Sequence, residues 1–252
     1  MTSYTELANP PSHLAIIMDG NSRWAEAHGF QRDEGHRAGA KHVRRIAEAS
    51  ADLGVRYLSL FAFSTENWDR PRDEVEFLIE LIGETLDNEL HELIERETKV
   101  QFIGERSRFP TAIQDKMRKC EAQTSHFDKL FLTIALNYGG RWDLTNATRE
   151  IAQAVQQGYL HPNEIDESVI GSYLATRSLP APDLCIRTGG DRRISNFLLW
   201  DFAYTEFYFA DCFWPGFTTD ALHIALREYG QRQRRFGGRR ELTRKPSLVE
   251  SN

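Results

Sequence analysis

His13-Leu14-Ala15-Ile16-Ile17-Met18-Asp19-Gly20-Asn21-Ser22-Arg23-Trp24 is an apolar run of strand length that ends in an acid, a glycine, an amide, a hydroxyl and a guanidinium. In α/β sheets, ligands bind beyond the carboxyl ends of the strands. Gly20 lets the backbone approach a ligand, and the next three side chains can donate to anionic oxygens. Asp19 would repel a phosphate unless a cation such as Mg²⁺ lay between them. Taken alone, these residues also fit an ordinary turn with an aspartate cap.

Three further strand-like runs end in loops of the same chemistry. Residues 58–63 lead into 64–70, residues 130–136 into 137–141, and residues 184–186 into 187–195. Each loop carries arginine beside glycine, asparagine or serine, the residue types that bind phosphate oxygens. Recurrence at four strand ends therefore predicts one anion-binding edge of a sheet.

The rest of the chain alternates helices with strands. Apolar spacing predicts helices over 43–53 and 75–95, and further helices from Pro110, from an Asp143 cap to Gln157, over 164–176 and over 218–233. Residues 99–103 and 183–186 are predicted strands, and 196–210 is a mixed segment. Strands separated by helices indicate right-handed crossovers and a parallel sheet covered on both faces.

Composition indicates one globular domain. The chain has 252 residues, 40% hydrophobic and 27% charged, with no linker rich in proline, glycine or serine. No apolar run approaches the ~18 residues of a membrane span. Because residues 1–12 also lack the features of a signal peptide, we expect a cytoplasmic location.

Cysteine, histidine and charge exclude several classes of protein. Cys120, Cys185 and Cys212 are widely spaced, which favours neither disulfides nor a zinc site, and no zinc-hydrolase histidine motif is present. The net charge is −6, although Arg227 to Lys245 is locally basic. We expect no nucleic-acid partner, because a basic tail is more often solvated. The glycine pairs lack the P-loop pattern, which argues against a P-loop kinase. The sequence also has no DDxxD cluster, which argues against the class of all-helical enzymes that carry this motif.

Residues 13–24, 61–70 and 187–200 resemble, in this order, the signature regions of the cis-prenyltransferases, and the resemblance covers roughly residues 13–238. It implies a single α/β domain with a central, largely parallel six-stranded sheet flanked by helices, and an apolar tunnel between sheet and helices. The implied reaction is Mg²⁺-dependent, sequential cis-condensation of isopentenyl diphosphate onto farnesyl diphosphate. The implied product is undecaprenyl diphosphate, the lipid carrier precursor for peptidoglycan and other envelope glycans. Neither product length nor starter preference follows from the residues.

The resemblance also assigns roles to residues. Asp19 and Asn67 are the expected catalytic residues, and Asp19 and Glu206 the expected Mg²⁺ ligands. Because an amide has no general-base capacity near neutrality, we expect Asn67 to orient substrate. The implied substrate-binding residues are Gly20, Asn21, Ser22, Arg23, Trp24, Arg32, His36, Ser64, Thr65, Glu66, Trp68, Arg70, Arg187, Arg193, Ile194, Ser195, Arg235 and Gly237. Arg192 stands where some relatives have histidine. Because arginine cannot bind metal, it stays open whether the protein supplies a third metal ligand.

Arg235 and Gly237 match an Arg-x-Gly element that reaches across a dimer interface in this family. We therefore expect a homodimer whose interface includes aromatic residues of 196–213, and peripheral membrane association during product release. The expected organisation is an N-terminal tail over 1–12, a cis-prenyltransferase domain over 13–238 and a disordered tail over 239–252. A noncatalytic partner subunit and a phosphatase acting on farnesyl diphosphate stay open as alternatives.

Overall fold

A computed structural model describes Leu7 and residues 9–232, and these residues form an α/β fold around one sheet. Its six strands lie in the order β3-β4-β2-β1-β5-β6, and every neighbouring pair is parallel. The strands are β1 (His13–Ile17), β2 (Tyr57–Ser64), β3 (Thr98–Ile103), β4 (Leu130–Tyr138), β5 (Leu184–Arg187) and β6 (Glu206–Phe209). The predicted six-stranded parallel sheet is confirmed.

Seven α-helices of the described residues connect or flank these strands. They are α1 (Asn21–Ala27), α2 (Arg32–Asp52), α3 (Arg72–Glu95), α4 (Thr111–Thr124), α5 (Gly140–Gln156), α6 (Glu167–Tyr173) and α7 (Thr219–Gln231). None of the helices described is long and apolar enough to cross a membrane. After α2, Gly54 adopts φ 89°, a conformation that glycine takes without strain and that ends the helix as predicted.

Two hydrophobic layers cover the sheet. Successive residues of a strand point to opposite faces, so Leu14 and Ile16 pack with α2, α3, α4 and α7, whereas Ala15 and Ile17 pack with the segment around Phe197. All five residues of β1 are buried, which explains its continuous apolar run. This packing on both faces fixes β1, and the carboxyl end of β1 lies at the edge of the sheet.

Asp143 does not cap α5, so that prediction was wrong. Gly139 occupies the cap position, and Asp143 lies inside the helix with 3% of its surface exposed. Its carboxylate instead accepts hydrogen bonds from the Tyr138 hydroxyl (3.0 Å) and from the backbone N–H of Ala175 (2.8 Å). Burial raises the pKa of Asp143, although these two hydrogen bonds oppose the shift.

Two other predicted elements differ in extent. The helix predicted over 164–176 is limited to α6, because the side chain of Asp166 accepts from the N–H of Val169 and starts the helix there. The mixed segment 196–210 contains β6, a four-residue edge strand whose one partner within the described part of the chain is β5.

Candidate active site

The ends of four parallel strands meet at one edge of the sheet and form a cleft. The register places Ile17 of β1 level with Phe61 of β2 and Arg187 of β5. The cleft has a volume of about 700 Å³. Ten of the predicted site residues line it: Asp19, Asn21, His36, Ser64, Glu66, Asn67, Arg70, Arg187, Ile194 and Ser195. The common edge that the four loops predicted is therefore present.

A carboxylate shared by two arginines lies at the centre of the cleft. Arg187 Nη2 donates to Asp19 Oδ2 (2.8 Å), and Arg23 Nη2 donates to Asp19 Oδ1 (3.0 Å). Partial burial would by itself raise the pKa of Asp19, but the hydrogen bonds and charges of Arg187 and Arg23 outweigh burial and lower it. Asp19 is thus held as a carboxylate at neutral pH, with its position fixed from two sides.

Arg187 is the most enclosed cation of this edge, with 4% of its surface exposed. Its Nη1 donates to the Ser195 hydroxyl (2.8 Å) and to the backbone carbonyl of Arg193, while Nη2 also approaches Asp191 (3.4 Å). Its Nε has no hydrogen-bond partner among the described residues. Because a buried unpaired donor is costly, this atom is a natural contact for a bound anion.

A second carboxylate joins the arginines of neighbouring loops. Asp191 accepts from Arg193 Nη2 (2.9 Å) and lies 3.7 Å from Arg23 Nη2. Gly189, at φ 89°, allows this packing, since a Cβ there would lie 2.8 Å from Arg23 Nη2. The loops after β1 and β5 therefore form one charged unit.

His36 lies in the second turn of α2 and faces the cleft. Its Nε2 is 3.3 Å from the Ser22 hydroxyl and 3.8 Å from Glu74, which itself pairs with Arg70 (2.8 Å). Burial, followed by the charge of Arg70, lowers the pKa of His36, so the ring is neutral at pH 7. The neutral ring can donate one hydrogen bond and accept one. Arg32 lies at the exposed outer side of this group of residues, 3.9 Å from Glu74.

Asn67 lies in the short 3-10 turn that follows β2. Its Oδ1 accepts from the backbone N–H of Ser64 (3.0 Å), which fixes the amide plane at the cleft wall. An amide held in this way can orient a ligand, and it has no proton-accepting capacity near neutral pH.

Some predicted substrate-binding residues do not line this cleft. Trp68 packs against Phe63 and Phe109, and its Nε1 donates to Asn137 Oδ1 (2.8 Å). Trp24 stacks on His28 at the outer side of α1. The others outside the wall are Gly20, Ser22, Arg23, Arg32, Thr65 and Arg193. Ser22, Arg23, Arg32 and Arg193 nevertheless contact residues that form the site.

Glu206 is remote from Asp19 within the chain. It begins β6 level with Leu184, three residues before Arg187 along β5, and its carboxylate accepts from Arg232 (3.0 Å). The two expected Mg²⁺ ligands are therefore apart within one subunit. Arg235 and Gly237 lie outside the described residues.

Two polar cleft residues were not among the predicted substrate-binding residues. The Asn196 side chain accepts from the N–H of Arg141 (2.9 Å) and donates to Glu66 (2.9 Å), joining three loops, and the Arg141 side chain lines the cleft. The signal for Arg141 was its place directly after Gly139-Gly140 at a strand end. No local pattern distinguishes Asn196.

The donor set fits Mg²⁺ bound together with a phosphate rather than a closed protein cage. Among the residues described, no three or more histidine, cysteine, aspartate or glutamate side chains are grouped closely enough to hold a metal ion. Mg²⁺ commonly uses one or two carboxylates, several waters and the phosphates of a substrate. Asp19 is a cleft-lining carboxylate held charged, which meets that requirement.

Two smaller apolar cavities continue from the cleft between α2, α3 and the sheet. The nearer has a volume of about 140 Å³ and shares Met18, His36 and Phe63 with the cleft wall. The farther has a volume of about 90 Å³ and shares Val43 and Leu86 with the nearer one. Their walls are mostly apolar, so they suit a hydrocarbon chain.

Several known proteins are similar to this chain in sequence and fold. The family model described as putative undecaprenyl diphosphate synthase matches residues 17–237. A ditrans,polycis-undecaprenyl-diphosphate synthase specific for (2E,6E)-farnesyl diphosphate from Xanthomonas axonopodis is 51% identical over 227 residues, which are 90% of this chain and 88% of that protein. The protein of the same name from Salmonella paratyphi A is 49% identical, and 90% of each chain is covered.

Solved structures agree. The lavandulyl diphosphate synthase from Lavandula x intermedia, in complex with dimethylallyl diphosphate, has a TM-score of 0.88 at 36% identity, covering 90% of this chain and 98% of that one. A probable undecaprenyl diphosphate synthase from Campylobacter jejuni has a TM-score of 0.75 at 33% identity, covering 91% and 99%. Fold and cleft together define a prenyl diphosphate synthase of the α/β type. The chain belongs to the undecaprenyl diphosphate synthase family of prenyltransferases.

Proposed function

We propose that this chain condenses isopentenyl diphosphate sequentially, in cis, onto farnesyl diphosphate with Mg²⁺, giving undecaprenyl diphosphate. The observation that carries the proposal is the Asp19 carboxylate, fixed between Arg23 and Arg187 at the floor of a cleft that continues into apolar cavities. The names of the relatives supply the substrates, since those proteins are called farnesyl-diphosphate-specific undecaprenyl-diphosphate synthases.

The loops would divide the cleft into two anion sites. Residues 20–24, with Arg32 and His36, surround the side of α1 and α2 and would hold the allylic diphosphate. Arg187, Arg193 and Ser195, on the loop after β5, would hold isopentenyl diphosphate. Guanidinium forks match phosphate oxygens bidentately, and each charge-assisted bond contributes about 1.5–3 kcal/mol.

In the reaction, the allylic C–O bond breaks, the double bond of isopentenyl diphosphate forms the new C–C bond, and a proton is lost. When bound, Mg²⁺ would neutralise negative charge on the leaving diphosphate. Asp19 would hold the ion, Arg23 would orient Asp19, and Asn67 would orient a substrate at the opposite wall. The departing pyrophosphate or water would accept the proton, because Asn67 has no capacity to do so.

The growing chain would extend into the two apolar cavities between α2, α3 and the sheet. Their shared wall residues support one path, an apolar tunnel that begins beside His36 and Leu78 at the cleft. The cleft keeps the diphosphates among charged groups, and the tunnel keeps the hydrocarbon away from water.

A homodimer would complete the site. The element Arg235-Phe236-Gly237 would reach the isopentenyl diphosphate site of the partner, and the edge strand β6, which begins at Glu206, would lie near the interface. Glu206 would then act as a metal ligand in the assembled site, exchanging its pairing with Arg232. Mixing Arg235→Ala chains with Asp19→Ala chains tests this arrangement, because mixed dimers would regain one intact site. No recovery despite measured subunit exchange would contradict it.

We also propose a cellular location and a division of the chain into a domain and two tails. The enzyme would act in the cytoplasm and associate with the membrane surface when its lipid product leaves, with no nucleic-acid partner. Its cis-prenyltransferase domain would comprise residues 13–238, with tails over 1–12 and 239–252.

Incubation with labelled isopentenyl diphosphate, farnesyl diphosphate and Mg²⁺ tests the reaction. We expect label in apolar products and one pyrophosphate released per isopentenyl unit incorporated. A phosphatase would hydrolyse farnesyl diphosphate without incorporating label, and a noncatalytic subunit would leave both substrates unchanged. Either result would contradict the proposal.

A further inference from the structure

A row of ion pairs joins α2 to α3 on the outer side of the apolar cavities. Three of the contacts between the two helices form this row: Arg37 with Glu84 (2.6 Å), Arg44 with Glu89 (2.7 Å), and Glu48 with Arg96, the residue directly after α3 (3.5 Å). Arg44 binds Glu89 bidentately, through both Nε and Nη2, and also lies 3.9 Å from Glu92. We call these three contacts the α2–α3 ion-pair row.

The ion-pair row forms part of the wall of the farther cavity. Arg44, Glu48 and Glu89 line this cavity together with apolar residues such as Ala47 and Leu93. The side chains of the row are between 26% and 50% exposed, so this part of the wall borders water. On this side, the wall consists of charge pairs rather than packed hydrocarbon.

The cavities are too small for the product proposed above. A chain of eleven prenyl units has about 55 heavy atoms and needs roughly 550–800 Å³ of accessible cavity volume, at ~10–15 Å³ for each group the size of a water molecule. The two apolar cavities, where the hydrocarbon would lie, have volumes of only about 140 and 90 Å³. A wall must therefore move as the chain grows.

Helix α3 carries the features of an element that bends. Gly83 lies in its middle, where glycine weakens a helix, and the Gly83 carbonyl accepts from Lys116 Nζ (3.1 Å). Two residues on, the Thr85 hydroxyl donates to the carbonyl of Leu81 (2.7 Å), a bond that often bends helices. Thr85 lines both apolar cavities, and Glu89 and Leu93 follow it on the wall of the farther one.

We infer that the α2–α3 ion-pair row is a determinant of product length. This inference rests on the proposed function. Each added prenyl unit presses α3 away from α2, and the row adds to the cost of parting the two helices, which biases the length at which growth stops. Arg44 is the central residue, because its guanidinium faces the carboxylates of Glu48, Glu89 and Glu92. Removing its charge lets the helices part more readily, so the chain grows longer before release.

The test is product length from farnesyl diphosphate, labelled isopentenyl diphosphate and Mg²⁺, resolved for the wild type and for Arg44→Gln and Glu48→Gln. We expect both variants to shift the distribution by one or more prenyl units toward longer products. The Michaelis constants of both substrates should stay within about twofold of wild type, because the row lies outside the cleft wall. Arg72→Gln is the matched control, since it breaks an exposed pair with Glu76 on the same helix. It should keep the wild-type distribution.

Salt provides a second readout that a merely structural role would not affect. Raising ionic strength from about 0.01 to about 1 M shortens the screening length from ~30 to ~3 Å, so the wild-type products should lengthen and those of Arg44→Gln should change less. Wild-type distributions in both variants, with the control also unchanged, would overturn the inference while leaving the proposed function standing. A wild-type protein that incorporates no label would overturn both.

Discussion

Replacing Asp19 should abolish most activity while leaving the fold intact. Asp19→Ala removes the acceptor of two arginines, of which Arg23 is 44% exposed and Arg187 only 5% exposed at the side chain. The exposed pair contributes about 0–1 kcal/mol. Breaking a fully buried pair costs ~3–5 kcal/mol, but Asp19 is itself 28% exposed, which reduces that cost. Asp191, 3.4 Å from Arg187, takes over part of the pairing.

We therefore expect Asp19→Ala to lower the free energy of unfolding by about 1–3 kcal/mol and the melting temperature by about 2–10 °C. Turnover should fall by ~10³-fold, about 4 kcal/mol in the activation barrier, the upper effect of removing one electrostatic group from an active site. Asp19→Asn keeps the shape of the side chain but removes its charge and places an amide donor against a guanidinium. It should therefore lose as much activity as Asp19→Ala. The strand-end position explains why folding survives, since Asp19 adds no apolar core.

The assay is label incorporation at saturating substrates, with thermal unfolding measured on the same preparations. Asp115→Asn is the control, because it removes a surface carboxylate whose ion pair, within residues 9–232, is with Arg118. The control should match the wild type in both measurements. Turnover of Asp19→Asn within tenfold of wild type, with an unchanged melting temperature, would refute the role of Asp19.

Three other predictions follow from named contacts. Arg187→Lys should raise the Michaelis constant for isopentenyl diphosphate more than for farnesyl diphosphate, because the point charge of an ammonium cannot replace the bidentate guanidinium. Equal changes for the two substrates would mean that the two sites are exchanged. Burial lowers the pKa of His13 from 6.5 to about 4. Folding therefore favours the neutral ring, and the free energy of unfolding of the wild type should fall by about 3 kcal/mol as pH drops from 6.5 to 4. Urea unfolding should show this loss in the wild type and should not show it in His13→Gln. Burial raises the pKa of Asp201 to about 6, so folding favours the protonated carboxyl group. This stabilisation is complete below pH 3.8, the pKa of an unperturbed aspartate, and is lost as pH rises through 6. Asp201→Asn should accordingly raise the melting temperature at pH 7, and a lower one would contradict the argument.

The sequence predicts the sheet edge well because its signals are local. An apolar strand followed by a polar loop is readable from about ten residues, and four such segments suffice to place Asp19, Asn67 and Arg187 at one edge. The helix ends near residues 53 and 157 were also predicted, and the glycines that follow them, Gly54 and Gly158, have positive φ.

What the sequence did not predict depends on distant partners. Asp143 was assigned as a helix cap on local grounds, yet its partners include the backbone of Ala175, 32 residues away. Likewise, Asp191 pairs with Arg23 only because the loops after β1 and β5 become neighbours in the sheet. Strand β6 was not separated from its segment, because four aromatic-rich residues on a sheet edge carry too little periodicity.

The most direct test of the account is the number of isopentenyl units joined to each farnesyl starter. Undecaprenyl has eleven prenyl units and farnesyl three, so the account predicts eight additions per starter, each releasing one pyrophosphate and each requiring Mg²⁺. Labelled isopentenyl diphosphate, with starter and products resolved by length and counted by mass, gives this number. Products that stop after one addition, or loss of diphosphate from the starter without any addition, would contradict it.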